Sequence, residues 1–339
     1  MNHPELEQPA ARTAEPPRPT RVFDAYLLAY FLDERGEDGE QIRLAVSSPQ
    51  STSGWTPLAG GRPLLTSSVG EHGVRDPFLV RDARSGMFTI IATDLRTWPG
   101  TSDQWERAVR RGSRAIIVWQ SADLTTWTGP WLAEVSACDA GNTWAPKAVW
   151  SEDRGCWRVF WASAIYARGS NRTEREHQRI MVADTRDFRE FSPAEVYLDR
   201  GHDIIDLLFA EEDGQWFRFS ADAQPLSGGP GGFIAAETGP GLVDVGWRPL
   251  RDGIGSPELE RAEGPAIAAS PGGGWDLLID EYGLRGYQLY HADDLASGVW
   301  TRSEDAGLPA GARHGSLLPI TLEERKRLLQ SDVRVRRAS

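Results

Sequence analysis

Cysteine is nearly absent from the 339-residue sequence, which contains only Cys138 and Cys156. Two cysteines are too few for a disulfide framework, and these two have neither metal-ligand spacing nor a nearby histidine partner. The sequence therefore argues against a disulfide-stabilised fold and against a cysteine-based site. We expect both side chains to be reduced thiols.

Long apolar runs are also missing. No stretch approaches the ~20 apolar residues of a membrane-spanning helix, and the N-terminus, MNHPELEQPAARTAEPPRPTRV, has no apolar core of the kind found in secretory signals. We therefore expect no membrane partner and a cytoplasmic location. The same shortage of apolar surface predicts that residues 1–21 form a disordered, proline-rich leader.

Positive charge is in deficit along the chain. The 37 lysines and arginines are outnumbered by 49 aspartates and glutamates, which gives a net charge of −12. A protein with this charge repels phosphate backbones and anionic membrane surfaces. Nucleic acid is therefore not expected as a partner.

A polar turn followed by an aromatic residue recurs five times. The segments AVSSPQSTSGWT, VWQSADLTTWT, VADTRDFREFS, AAETGPGLVDVGW and YHADDLASGVWT carry five aromatic anchors, which are Trp55, Trp127, Phe191, Trp247 and Trp300. Between them lie five lead segments: RDPFLV at 75, WAPKAV at 144, IDLLFA at 205, EGPAIA at 263 and HGSLLPI at 314. The lead segments start 69, 61, 58 and 51 residues apart, a period typical of propeller blades.

The local pattern within each repeat indicates β-hairpins. Lead segments run into turns and second β-rich runs, as in FLVRDARSGMFTIIATD and LFAEEDGQWFRFSAD. We therefore predict an all-β fold, a five-bladed β-propeller. The N-terminal runs DAYLLAYFLD and EQIRLAVSS lack a lead segment, whereas HGSLLPI lacks following strands. Pairing the two ends would complete the fifth blade and close the ring without an exposed sheet edge.

The propeller is expected to form one catalytic domain over residues 22–320. Residues 321–339 would follow it as a C-terminal tail, in which Thr321 and Glu324 have capping-box spacing and favour a short helix. The longest loop between strands is expected at residues 99–112, PGTSDQWERAVRRG.

Five chemically active residues lie near the starts of the lead segments: Asp76, Lys147, Asp206, Glu263 and His314. Because innermost propeller strands line a central channel, we expect these residues to occupy matching positions and to converge. A single acid beside proline or glycine is more often a turn residue, but recurrence favours a shared site. An unpaired carboxylate within the apolar run IIDLLF would be costly to desolvate. Two carboxyl groups facing a sugar could hydrolyse a glycosidic bond, and a third could tune the acid's pKa.

The ordered motifs VRDPFLV, TWAP, IIDLLFAEEDGQWFRF, AEGPAI and RHGSLLPIT resemble glycoside hydrolase family 43. Further stretches, IIATDLR and RGSRAIIVWQSADL, resemble its α-L-arabinofuranosidase branch. The resemblance implies a five-bladed propeller and an inverting mechanism. It also implies roles for three acids: Asp76 as general base, Glu263 as general acid, and Asp206 as the residue that orients the acid and raises its pKa. No cofactor is required by this chemistry.

Two further positions bear on the resemblance. His314 matches a family position that helps hold a metal or water, so a structural calcium ion in the channel is compatible with it. Lys147 departs from the pattern, since relatives commonly carry an acidic residue directly after TWAP. A lysine there could lower the pKa of the acids, pair with one of them, contact a sugar hydroxyl, mark lost activity or simply point to solvent.

The substrate pocket should be formed by loops between strands. Aromatic rings for sugar stacking are expected from Trp98, Trp105 and Trp144, and donors to sugar hydroxyls from His72, Arg96 and Arg313. Lys147 joins this set as a further substrate-binding candidate.

The function that the sequence favours is exo-acting α-L-arabinofuranosidase activity on arabino-oligosaccharides. A β-xylosidase or an endo-arabinanase would use the same three acids. A sugar-binding propeller that has lost turnover is the alternative from another class, prompted by Lys147. A phosphate-dependent glycoside phosphorylase would need a basic pocket beside the acid, for which Lys147 is the only obvious candidate.

Overall fold

The structure, a computed structural model, describes residues 23–227, 229–243, 245–304 and 306–337. The predicted leader at residues 1–21 lies outside them. The described residues form five sheets, four with four antiparallel strands and one with four antiparallel strands and a fifth, parallel strand. These sheets are the blades of the predicted five-bladed propeller, which is confirmed.

The strands follow one another blade by blade. Blade 1 contains β1 (Ala25–Phe31), β2 (Arg43–Val46) and β3 (Thr56–Pro57), followed by a 3-10 helix at Leu58–Gly61. Blade 2 contains β4 (Val74–Arg81), β5 (Phe88–Asp94), β6 (Ala115–Ser121) and β7 (Thr126–Glu134), with helix α1 (Ser102–Arg111) between β5 and β6. Blade 3 contains β8 (Trp144–Ser151), β9 (Cys156–Ala164), β10 (Gln178–Thr185) and β11 (Glu195–Leu198).

Two more blades and a C-terminal segment complete the described chain. Blade 4 contains β12 (Ile204–Glu212), β13 (Gln215–Asp222), β14 (Phe233–Gly239) and β15 (Arg248–Ile254). Blade 5 contains β16 (Glu263–Ala269), β17 (Trp275–Glu281), β18 (Gly286–Ala292) and β19 (Thr301–Arg302). The chain then forms β20 (Arg313–Ile320), α2 (Leu322–Gln330) and β21 (Arg334–Arg336).

The two ends of the propeller join in blade 1, as the sequence predicts. Strand β20 is the innermost strand of this blade and pairs antiparallel with β1, so that Leu27 lies opposite Leu318. The hydroxyl of Ser316 also accepts a hydrogen bond of 2.9 Å from the backbone N–H of Leu79 in blade 2. The C-terminal strand is therefore bonded both within its own blade and to the next one.

Apolar side chains fill the spaces between neighbouring blades. Five clusters of buried residues lie at the five blade interfaces, such as Leu27 of blade 1 with Ile90 of blade 2, or Val159 of blade 3 with Ile91 of blade 2. All seven residues of β1 are buried, because both faces of the sheet pack against other blades. Such a core fixes the angle between blades and so fixes the channel that they surround.

Four of the five aromatic anchors lie at the start of an outermost strand. Trp55, Trp247 and Trp300 directly precede β3, β15 and β19, and Trp127 is the second residue of β7. Phe191 instead forms an isolated bridge with Thr185, four residues before β11. The turn-and-anchor repeat thus identified the outer edge of the blades.

The predicted loop at residues 99–112 is wrong over most of its length, because it contains α1. Thr101 and Gln104 form a capping box at the start of this helix, and Glu106 pairs with Arg110 one turn later. Ala108 is the one buried residue of the helix, so the sequence shows almost no apolar periodicity there. The helix is explained by its capping box and its charge pair, neither of which is visible in the pattern of apolar residues.

The C-terminal segment packs against the propeller. Leu328 of α2 is buried in the cluster between blades 1 and 2, and β21 adds a parallel strand to the outer edge of β7. Arg81 of blade 2 makes a bidentate salt bridge with Glu324 at 2.6 and 2.8 Å. No helix of the described residues is long and apolar enough to cross a membrane. Cys138 and Cys156 are both free, as predicted.

We predict that Thr321→Ala destabilises the protein by about 1 kcal/mol, because the Thr321 hydroxyl accepts the Glu324 backbone N–H that no helical carbonyl can accept. Urea unfolding of the full chain measures the change. Ser331→Ala, at the other end of the same helix, is the control and should change stability by less than ~0.5 kcal/mol. Equal losses in both variants would contradict the capping argument.

Candidate active site

Each innermost strand is irregular near its start. The pairing register with the neighbouring strand shifts there in all five blades. At each shift one residue takes a positive φ, which is unfavourable for residues with a Cβ and which re-aims side chains at a β-bulge. The five residues and their φ angles are Asp76 (54°), Ala145 (50°), Asp206 (63°), Gly264 (57°) and His314 (29°).

The five candidate residues do not occupy equivalent positions relative to the bulge, so the prediction that they match is wrong. Asp76, Asp206 and His314 occupy the bulge itself, whereas Glu263 lies one residue before it and Lys147 two residues after it. All five still lie on the innermost strands. The lead segments predicted the convergence correctly, but not which residue of each segment takes the strained position.

Asp76 is held by a short hydrogen bond. The Thr93 hydroxyl donates to Asp76 Oδ2 at 2.6 Å and accepts from the backbone N–H of Ala145 at 2.8 Å. The other carboxylate oxygen lies 3.3 Å from His314 Nδ1. One side chain from β5 therefore fixes the orientation of Asp76 and links it to blade 3.

Asp206 is sealed from solvent, with a side chain that is 1% exposed. Its Oδ2 accepts the Gly264 backbone N–H at 2.8 Å, and its Oδ1 lies 3.4 Å from His314 Nε2. Burial alone would raise the pKa of Asp206, but the positive charges of His314 and Lys147 and the Gly264 N–H together hold the pKa below its usual range. Asp206 is thus a buried carboxylate that stays ionised.

His314 bridges the two aspartates. Burial alone would lower the pKa of His314, but attraction to Asp206 and Asp76 outweighs burial and raises the pKa to about 9. At neutral pH the imidazole is therefore a cation. Its Nδ1 also lies 3.9 Å from Glu263 Oε1, so His314 contacts all three predicted acids.

Glu263 is the most accessible of the three acids, with a side chain that is 21% exposed. Burial raises its pKa to about 7; Arg313 and His314 oppose the increase, and Asp280 and Asp206 add to it. Arg313 donates to Glu263 Oε1 at 2.8 Å and, through Nε, to Asp280 Oδ2 at 3.0 Å. Glu263 is therefore partly protonated at neutral pH and reachable from solvent.

Glu263 and Asp76 lie close enough to act on one bond. His314 Nδ1 is 3.3 Å from Asp76 Oδ1 and 3.9 Å from Glu263 Oε1, so these two oxygens are no farther apart than the sum of the two distances. That upper bound covers the roughly 5–5.5 Å between the carboxyl groups of retaining glycosidases as well as the lower end of the roughly 6.5–9.5 Å of inverting ones, so it does not distinguish the two mechanisms.

A cavity of ≈ 180 Å³ opens at Glu263. Trp144, Ile205 and Tyr282 line it together with Gln178, and Arg175 and Asp203 lie at its polar side. Trp105 of α1 meets Trp144 edge to face, with ring centroids 6.5 Å apart. Of the predicted substrate-binding residues, the structure thus places Trp144 in the cavity, Arg313 on Glu263 and Trp105 against Trp144.

Three other predicted substrate-binding residues form a separate group. Arg96 donates to the backbone carbonyl of His72 and lies over the Trp98 ring, with its guanidinium 5.4 Å from the ring centroid. The backbone N–H of Trp98 donates to the buried Glu40. None of the three lines the cavity at Glu263, and their predicted contact with substrate stays a prediction.

Lys147 is buried in the channel, with 1% of its surface exposed. The interpretation that it points to solvent is therefore wrong, and this burial does not support the predicted contact with a sugar hydroxyl. Its Nζ lies 5.1 Å from the centre of the Phe78 ring. Burial lowers the pKa of Lys147, and attraction to Asp206 and Asp76 opposes that change.

Sequence reasoning missed three residues of this site. Asp280 is fully buried beside Arg313, Thr93 orients Asp76, and Arg75 stacks over the Trp105 ring at 4.8 Å. Asp280 and Thr93 come from second strands, where they occupy the same place, opposite the residue before the bulge, but with chemically different side chains. Only Arg75 had a usable signal, since it occupies the same place before the bulge as Glu263 and Arg313.

The residues around His314 do not fit a calcium ion well. Ligand atoms of Glu263, Asp280 and His314 all lie within 4.8 Å of one another. However, Arg313 already bonds both carboxylates, and a protonated imidazole has no lone pair for a metal. The metal role of His314 and a channel calcium remain predictions, and no step below depends on them.

One curated protein with a known name resembles most of this chain. A curated α-L-arabinofuranosidase of Bifidobacterium longum subsp. longum is 23% identical over 364 residues, covering 89% of this chain and 34% of that protein. The chain thus spans about a third of that relative's length.

Solved structures show the same architecture. A thermostable family-43 glycoside hydrolase superimposes with a TM-score of 0.50 at 17% identity, covering 74% of this chain and 81% of that one. The Penicillium chrysogenum α-L-arabinanase complexed with arabinobiose gives a TM-score of 0.51 at 15% identity, covering 88% and 84%. At these identities the likeness concerns the fold alone.

The family follows from a match over most of the chain. A model described as "Probable glycosyl hydrolase domain", of the group related to glycoside hydrolase family 43, matches residues 22–326. That range includes the five innermost strands and all the acids of the channel. The chain therefore belongs to the glycosyl hydrolase family related to glycoside hydrolase family 43.

Proposed function

We propose that this protein is an inverting glycoside hydrolase that removes terminal α-L-arabinofuranosyl units from arabino-oligosaccharides. The observation that carries the proposal is the pairing of a solvent-reachable Glu263, whose pKa is raised to about 7, with an Asp76 held across the same histidine. An acid and a base in one channel are the groups that glycoside hydrolysis requires.

Glu263 is assigned as the general acid. It lies in the cavity, so its proton can reach the glycosidic oxygen as the bond to the leaving group breaks. Arg313, bonded to Glu263 Oε1 at 2.8 Å, then stabilises the carboxylate that proton transfer leaves behind.

Asp76 is assigned as the general base. Thr93 fixes one oxygen of its carboxylate and His314 faces the other. It would accept a proton from the water that attacks the anomeric carbon from the opposite side of the sugar, which inverts the configuration.

Asp206 is assigned an indirect role, because a side chain that is 1% exposed cannot touch substrate. Its bond to the Gly264 N–H fixes the residue directly after Glu263, and its negative charge contributes to the raised pKa of Glu263. It therefore orients the acid and adds to the effect of burial, which raises the pKa of Glu263.

One relative supports the choice of substrate. The Bifidobacterium relative is named an α-L-arabinofuranosidase. Endo-arabinanase and β-xylosidase activities remain the alternatives within the family, and a sugar-binding propeller without turnover is the alternative from another class. Lys147, the basic residue on which a phosphorylase would have relied, is buried and does not line the cavity at Glu263.

We predict that Glu263→Gln lowers release of arabinose from arabinobiose by about 10²–10⁴-fold, because the amide cannot protonate the leaving oxygen. Para-nitrophenyl α-L-arabinofuranoside, whose leaving group needs less protonation, should lose less. Glu260→Gln, an exposed neighbour, is the matched control and should keep full activity. Cleavage of para-nitrophenyl β-D-xyloside without any cleavage of the arabinoside would show that the proposed substrate is wrong and would leave the mechanism standing. No turnover of any glycoside would favour the sugar-binding propeller.

We predict that kcat/KM is retained near pH 6 and falls as pH rises through about 7, since Glu263 acts only when protonated and its pKa is about 7. The loss should approach tenfold per pH unit on the alkaline side. Stopped assays of arabinobiose cleavage across pH measure it. An alkaline limb that appears only above pH 9 would show that Glu263 is not the acid.

We predict that the first sugar released from an α-L-arabinofuranoside has the β configuration. Proton NMR recorded within minutes of adding enzyme, before the product anomers equilibrate, distinguishes this from retention. An α product would require a nucleophile instead of a base and would contradict the role given to Asp76.

A further inference from the structure

Lysine is the rarer basic residue in this chain. Of the 37 basic residues only Lys147 and Lys326 are lysines, and Lys326 lies exposed on α2. The other lysine, Lys147, is buried on an innermost strand of the channel. The lysine ammonium is a compact point charge, unlike the planar guanidinium of arginine, which needs several fixed acceptors.

The position of Lys147 complements that of His314. Strand β8, which carries Lys147, packs between β4 with Asp76 and β12 with Asp206. His314 faces the same two aspartates from β20, at 3.3 and 3.4 Å. Two buried carboxylates are thus matched by two basic side chains on different sides of the channel.

The hydrogen bonding of Lys147 Nζ indicates how this residue interacts with the two aspartates. Its Nζ is buried and has no hydrogen-bond partner among the described residues. It therefore acts on Asp76 and Asp206 through its charge and not by direct hydrogen bonds. With His314 alone beside them, one of these two carboxylate charges would be uncompensated, which is costly for buried groups.

We propose that Lys147 is a positioning residue that supplies the resident cation of the channel, neutralising Asp76 and Asp206 in the place where a divalent metal would otherwise be needed. The proposal rests on the catalytic roles assigned above for its effect on turnover, but not for its effect on metal binding. The charge of Lys147, the residue that departs from the family pattern, would then explain activity without a bound metal.

Lys147→Gln removes the charge and leaves a polar side chain of similar length. With its second cation gone, the aspartate pair should attract a divalent ion, and Asp76 should lose the charge that balances its carboxylate in the role of base. We expect kcat to fall about tenfold or more, with KM changed less than about threefold, because Lys147 does not touch the sugar. Lys326→Met, which alters the other lysine, should behave as the unaltered protein.

The test compares thermal unfolding and arabinoside hydrolysis of the full chain after treatment with EDTA, with and without added calcium chloride. A metal that binds only the native state raises the Tm. The unaltered protein should show the same Tm and the same kcat in both conditions, whereas Lys147→Gln should gain a calcium-dependent rise in Tm. A lysine with a merely structural role would not produce that gain.

Three results would overturn the proposal: a calcium-dependent Tm or an EDTA-sensitive kcat in the unaltered protein, a Lys147→Gln variant with unchanged kcat, or the absence of any calcium response in that variant. If Lys147→Gln does not fold, Lys147→Met, whose apolar side chain suits the buried position, replaces it. Should the unaltered protein cleave no glycoside, the proposed function fails while the Tm comparison still decides the role of Lys147.

Discussion

Buried charges of opposite sign meet where the five innermost strands bulge, and the site depends on their mutual compensation. Four carboxylates and three basic groups lie within this small region: Asp76, Asp206, Glu263, Asp280, Lys147, Arg313 and His314. None of the carboxylates could stay ionised there alone, because removing a charge from water costs several kcal/mol per ion. Each basic residue faces at least two acids, so the loss of one would disturb several groups.

The same region gives chemically identical groups different protonation states. Asp206 is the more deeply buried, yet the adjacent cations and the Gly264 N–H keep its pKa low. Burial raises the pKa of Glu263 to about 7, and Asp280 and Asp206 add to the increase, whereas Arg313 and His314 oppose it without cancelling it. The balance between burial and the neighbouring cations therefore separates a group that holds a proton from one that does not. This separation underlies the acid and base roles proposed here.

The architecture keeps that network in register. Apolar clusters between all five blades set their relative angles, and the pairing of β1 with β20 joins the ends of the chain. His314 comes from the strand that closes the ring, whereas Asp76 comes from blade 2 and Asp206 from blade 4. Opening the closure would therefore remove the histidine from its two aspartates. The electrostatics of the site therefore depend on closure of the ring.

The sequence alone determined the repeat, the lead segments and the three acids, because β-strand alternation, turn residues and a period near sixty are local properties of the chain. It also predicted the closure of blade 1, since each chain end lacked what the other supplied. It could not show that Lys147 is buried, that Asp280 and Thr93 join the site, or that residues 102–111 form a helix. The first two features arise from contacts between strands distant in sequence, which exist only once the blades have assembled around the channel. The helix arises from a local capping box and a local charge pair, which the pattern of apolar residues does not report.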